Sequence, residues 1–332
     1  MKKTAIMASV ALAAGLPAAA HANAVSGISG DISVEAGYNT VGQETFTYTE
    51  TGGYSNSWNN GYRYGGVSVD LNGSVALPIT KSIGAQIDLG LDHNIAHPTG
   101  HWCTYAYECG ATKLDATDVA VHLFTRKPSL GLVGVFAQRT STTNTNYSGY
   151  AGATYYFGGE AQLYVGKLTI SGQVSAHHTD YQYYKDRGIQ TAGRLTYYVN
   201  PHFALTAKAG YEYSDYFGRW YQYYSYSDIE TYPSHAWNVG VKAEHQLGHS
   251  NVSLLARYDY YGFVSSDTYT ESNGSYTWRY NYPYHASRVL VGVKVHLGKH
   301  VSLEERDRNG AGLDAVDTTF QELRSLGNNY ED

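Results

Sequence analysis

The chain has 332 residues, of which 42% are hydrophobic and 16% charged, and its formal net charge is -6. That length holds one large domain or two small ones, and an acidic balance without a basic block excludes a nucleic-acid surface. Past residue 24 no apolar run approaches the ~18 residues of a membrane-crossing helix.

The first element is a secretion signal over residues 1–22. Lys2 and Lys3 supply the positive start, Ile6 to Leu16 the short apolar core, and Ala20-His21-Ala22 a small-x-small cleavage site. Ala22-Asn23-Ala24 is an alternative, with cleavage after residue 24, so the mature chain begins at Asn23 or Val25. Export places the rest of the chain outside the cytosol.

A period of two then predicts twelve strands, near 31–40, 62–77, 83–95, 114–126, 130–142, 150–165, 168–180, 187–199, 202–216, 235–247, 250–263 and 286–298. The last is the clearest. Val289, Val291, Val293, Val295 and Leu297 share one face; Arg288, Leu290, Gly292, Lys294 and His296 share the other. Gly158-Gly159 leaves open whether 150–165 is one strand or two. The composition favours strands, with 34 Tyr against 7 Pro. Tyrosine has high β-propensity and suits a membrane–water boundary.

The links between strands alternate in length. Tight turns fall at Pro78–Ser82, Lys127–Ser129, Gly166-Lys167, Asn200-Pro201 and Gly248-His249. Long, tyrosine-rich links fall near 41–61, 96–113, 143–149, 181–186, 217–234 and 264–285. Short turns at one end and elaborated loops at the other are the pattern of a closed antiparallel transmembrane β-barrel. The expectation is therefore an all-β barrel over residues 25–298. Both chain ends lie on the short-turn side, which in bacterial outer membranes is periplasmic.

Residues 299–332 form a tail of different character. Leu313, Val316, Phe320 and Leu323 recur at helical spacing among charges. They predict a short amphipathic periplasmic helix or a weakly ordered extension. A plug or a contact to another subunit is the other reading.

With the signal, the alternation and segments such as Gly240-Val241-Lys242-Ala243-Glu244 and Val291-Gly292-Val293-Lys294-Val295 in view, residues 25–298 resemble the porin-like outer-membrane barrels of Gram-negative bacteria. The resemblance is one of pattern and composition. It implies passive passage of small hydrophilic solutes through a water-filled lumen, contact with outer-membrane lipid, no cofactor and no enzymatic activity. A homo-oligomer is compatible with it.

The polar faces yield candidate lumen and selectivity residues. The acidic ones are Glu35, Asp70, Asp88, Asp118, Glu160, Glu212, Glu244 and Asp259; the basic ones are Arg126, Arg194, Lys208, Lys242, Arg257, Arg288 and Lys294. Rings of one sign select ions of the other. This near-balanced set has two readings: opposite walls of opposite sign, or charges that pair and fill the barrel.

Cys103 and Cys109 sit in one long loop of an exported chain, where a disulfide is the expected state. A metal site with His97 and His101 is the alternative. Dense aromatics at 211–226 and 269–284 give either a girdle with packed loops or a sugar-binding or adhesive surface. His93, His177 and His178, at outer strand ends, would serve a rim hydrolase only if a nucleophile and an orienting acid joined them. The alternatives to a channel are thus a non-conducting structural or adhesive barrel and, further off, a rim enzyme.

Overall fold

The computed structural model describes residues 24–43, 46–50, 55–58, 63–98, 112–144, 152–181, 184–218, 230–248, 250–270, 277–317 and 319. In chain order the strands are β1 (Ser29–Gln43), β2 (Phe46–Glu50), β3 (Ser55–Trp58), β4 (Arg63–Pro78), β5 (Ile83–Pro98), β6 (Thr112–Lys127) and β7 (Gly131–Asn144). They continue as β8 (Gly152–Val165), β9 (Leu168–Tyr181), β10 (Tyr184–Asn200), β11 (Phe203–Gly218), β12 (Glu230–Gln246), β13 (Val252–Thr270) and β14 (Thr277–Leu297). One helix, α1 (Leu303–Asn309), follows them.

Twelve strands, β1 and β4 to β14, pair with their sequence neighbours in an antiparallel sheet. The sheet closes where β1 pairs β14 from Gly30↔Leu297 to Gln43↔Tyr284. Closure leaves no free edge, the condition for a sheet to cross a bilayer. Gly158-Gly159 lies within β8, in unbroken register with both neighbours, so the segment is one strand.

The alternation read in the sequence sorts inside from outside. In β14, Val289, Val291, Val293 and Val295 are 43–61% exposed, whereas Arg288, Leu290 and His296 are buried. Each barrel strand exposes at least one large apolar side chain outward. Such a belt is the reverse of a water-soluble surface and fits a hydrocarbon solvent.

The tight turns fall where expected, at 79–82, 128–130, 166–167, 201–202, and at 248 and 250–251. Gly166 and Gly248 adopt φ of 54° and 55°, the left-handed region that glycine enters without steric cost. At the other end two predicted loops hold further strand. β13 and β14 continue well past the ~9–11 residues that the hydrocarbon requires. β2 and β3 form a hairpin whose first strand pairs Trp278–Asn281 of β14, covering the edge left where β1 ends.

The short C-terminal helix expected for the tail is present as α1. α1 ends at Asn309, Leu313 and Val316 follow it outside any helix, and Phe320 and Leu323 lie outside the described residues. α1 packs across the short-turn end: Leu303 N–H donates to Pro201 O (3.0 Å), and Arg308 donates to Gly166 O and Leu168 O. From Gly310 the chain turns into the barrel. Leu313 packs on Phe124 and Leu132 near the short turns, and Val316 on Phe136 and Tyr156 deeper in. The physical reason is that both apolar side chains find pockets in the lumen wall, while the wall's amides satisfy the tail's backbone. Ala24 and Val25 are buried in the same cluster as Leu313.

Candidate functional site: a charged lumen occupied by the tail

Twelve strands ~4.8 Å apart and tilted about 40° enclose a backbone circle ~24 Å across. Inward side chains narrow it to roughly the 10–12 Å width of one helix or extended chain. The lumen can therefore take one polypeptide segment.

The fifteen lumen residues picked from the sequence all lie on inward strand faces, buried or lining the interior cavity. They segregate by sign. Glu35 (β1), Asp70 (β4), Asp88 (β5), Asp118 (β6) and Glu160 (β8) form an acidic wall. Arg194 (β10), Lys208 (β11), Lys242 (β12), Arg257 (β13), Arg288 and Lys294 (both β14) form a basic one. Arg126 stands on the acidic side; Glu212, Glu244 and Asp259 stand among the bases.

Many of these charges also pair. Arg257 meets Glu35 at 3.7 Å, Asp259 at 3.0 Å and Asp70 more closely. Lys294 meets Glu244 at 3.4 Å. His122 sits between Asp88 (2.8 Å) and Glu160 (2.9 Å). Both readings of the charge set thus hold in part: opposite walls exist, and pairing within and across them fills much of the interior.

The tail runs between the walls. On the β5–β10 side, consecutive strands each donate a hydrogen bond to a tail carbonyl. Gln86 donates to Leu313 O (2.8 Å), Arg126 to Gly310 O (2.6 Å), Gln138 to Val316 O (3.1 Å) and Gln162 to Gly312 O (2.7 Å). Gln173 donates to Asp314 O (2.7 Å), Gln190 to Asp317 O (3.3 Å) and Arg194 to Gly312 O (2.8 Å). Two of the glutamines also accept: Leu313 N–H donates to Gln86 Oε1 (3.3 Å) and Val316 N–H to Gln138 Oε1 (2.6 Å). A primary amide that gives one bond and takes one mimics a β-bridge, and it satisfies buried peptide groups that would otherwise be costly.

The tail's acidic side chains face the basic wall. Asp314 pairs with Arg194. Asp317 pairs with Lys208 at 2.9 Å and accepts from Asn238 (3.0 Å) and Tyr261 (3.2 Å). Asp307, on α1, accepts from the Tyr198 hydroxyl at 2.6 Å. Burial opposes the charge on Asp317, but Lys208 and Arg288 outweigh it and hold its carboxyl well below the usual range. Its contribution to docking is thus complete above the ordinary carboxylate pKa and fades only in strong acid. Tyr198→Phe removes one bond to a charged acceptor. It should loosen the tail by about 1.5 kcal/mol, read as roughly tenfold faster proteolysis at Arg306 and Arg308.

A cavity of about 350 Å³ remains beside the tail, bounded by residues of both walls and by Gly312, Asp314 and Ala315.

No family model and no curated protein sequence matches the chain. Among solved structures, an outer-membrane channel from Pseudomonas putida F1 is similar, with a TM-score of 0.50 at 13% identity over 85% of this chain and 99% of that one. The chain has the fold of an outer-membrane β-barrel. A Pseudomonas aeruginosa FadL homologue (TM-score 0.40, 8% identity, 82% of this chain and 92% of that one) is more distant. So is the translocator domain of the autotransporter NalP from Neisseria meningitidis (0.40, 14%, 88% and 95%).

Among the described residues several histidines lie beside carboxylates. Ser253 Oγ and Glu244 Oε1 both approach Nε2 of His296, at 2.9 and 3.1 Å, so the ring cannot pass a proton from one to the other. His177 is buried between Asp186 (3.8 Å) and Glu212 (3.9 Å). His93 and His178 are half-exposed, beside Asp115 and Asp180. Residues 1–22, Cys103, Cys109, His101 and the tyrosines of 219–226 lie outside the described residues.

Sequence reasoning missed the glutamines. Gln86, Gln138, Gln162, Gln173 and Gln190 fall on the inward face of five of the six strands β5–β10, a density of amides that a water-filled pore does not need. That clustering on one wall was the available signal.

Proposed function

We propose that the barrel is an outer-membrane channel for passive diffusion of small hydrophilic solutes, closed in this state by its own tail. Export by the N-terminal signal, the apolar belt and the barrel fold support the location, with outer-membrane lipid as the surrounding partner and both termini periplasmic. The single observation that carries the reading is a polar lumen with opposed charged walls, blocked by a segment held through hydrogen bonds and ion pairs rather than by the barrel's own packing. Such a segment can leave without unfolding the sheet. The reaction is translocation; no chemistry and no cofactor is assigned.

The second reading is a non-conducting structural barrel, favoured by the number of bonds that hold the tail. Single-channel recording in planar bilayers separates the two. The full-length wild type should give rare, brief steps. The full-length Asp314→Asn/Asp317→Asn variant should open at least tenfold more often. Silence from both proteins at all voltages would leave the structural reading standing.

A further inference from the structure

We infer that the lumen wall is a binding site for extended acidic peptides, occupied here in cis by residues 310–317. This names a solute class for the channel reading, and it rests on that reading only in requiring that solutes reach the lumen.

The argument starts from what the wall recognises. A plug can be held by side-chain packing alone. Here the wall chiefly engages peptide carbonyls and N–H groups, which every polypeptide presents. Carbonyl oxygens of six residues between 310 and 317 are bound. Leu313 and Val316 are each read at both N–H and C=O by a single glutamine. Such contacts are indifferent to side-chain identity, as in the main-chain recognition of added strands. Selectivity comes from the opposite wall, where Arg194 and Lys208 take carboxylates three residues apart. Lys242 lines the cavity beside them. The pattern fits a ligand of about eight residues in extended form, with acidic side chains at positions i and i+3. The pockets filled by Leu313 and Val316 add a preference for an aliphatic residue just before each acid.

The tail is tethered to the barrel, so its effective concentration is in the millimolar range. A free peptide must compete with it, and a full chain with a weakened tail is the protein in which to look. Gly312→Val weakens docking without touching the wall, because a Cβ at residue 312 would overlap the Asp307 carbonyl oxygen. Asp314→Asn/Asp317→Asn is a second tail variant that leaves the wall intact.

The test is fluorescence anisotropy of a fluorescein-labelled peptide with the sequence of residues 310–319, titrated with each full-length protein in detergent micelles. Both variants should bind it at least tenfold more tightly than the wild type does. A peptide with Asn at both acidic positions should bind at least tenfold more weakly. One with altered residues elsewhere, but with both acids and both aliphatic residues kept, should bind within about threefold of the original. Gln86→Leu/Gln138→Leu added to the Gly312→Val chain should abolish binding. The proposal is overturned if trypsin shows the tail released in either variant yet no peptide binds, or if the Asn peptide binds as well as the acidic one. A tail that stays protected in both variants, with the peptide excluded, also overturns it by making the segment a fixed part of the fold. Peptide binding without conductance would sink the channel reading and leave this site intact; conductance without peptide binding would do the reverse.

Discussion

Replacing Gly312 by valine should expel the tail from the lumen. The backbone oxygen of Asp307 occupies the space a side chain would need, and a carbonyl at the end of α1 cannot move aside as a flexible side chain could. Docking depends on a run of bonds that share one register, so displacing Gly312 disturbs those on either side. In the wild type Arg306 is buried, with its guanidinium bonded to Leu297 O and Lys299 O. Local opening governs proteolysis of such a segment, and trypsin should cleave at Arg306 and Arg308 roughly a hundredfold faster in the variant. Gly159→Ala is the control. A Cβ there meets nothing closer than Gly134 O at 3.8 Å, so the tail should remain protected. Equal cleavage rates in wild type and Gly312→Val would contradict the docking described.

The second large effect concerns Arg257. One guanidinium serves Glu35, Asp70 and Asp259, all buried. Arg257→Leu leaves Glu35 and Asp70 without their nearest counter-charge, while Asp259 keeps Lys208 at 3.0 Å. Breaking a buried ion pair from one side typically costs about 3–5 kcal/mol. Arg288, 3.5 Å from Asp70 and 4.0 Å from Asp259, offsets a part, so the lower end of that range is expected. Urea unfolding of the vesicle-inserted barrel, followed by tryptophan emission, measures the loss. Adding Glu35→Gln should return some of it by removing the carboxylate that Arg257→Leu leaves stranded. A loss below ~1 kcal/mol would show that these carboxylates do not rely on Arg257.

Much of the barrel was legible because its code is local. Alternation placed Val289–Val295 outside and Arg288 and Lys294 inside, and Gly166 and Gly248 marked turns through their backbone freedom. The long-loop end was less legible, because β13, β14 and the β2–β3 hairpin extend by pairing with one another beyond the membrane, where no solvent contrast enforces alternation. The tail was least legible. Leu313 and Val316 are spaced as on a helix, yet the spacing reflects two separate pockets in the wall. Nothing within residues 310–319 announces partners more than a hundred positions away. The charge list was readable residue by residue; the sorting of its signs onto opposite walls depends on strand order around the closed sheet.

The central claim is that residues 310–317 lie inside the barrel. Ala315 borders the residual cavity, so a photo-crosslinking side chain has room there. In the full-length protein, irradiated in the membrane, mass spectrometry should map intramolecular cross-links from position 315 to inward-facing residues of the strands. Cross-links solely to other proteins, or to outward-facing barrel positions, would contradict a tail-filled lumen.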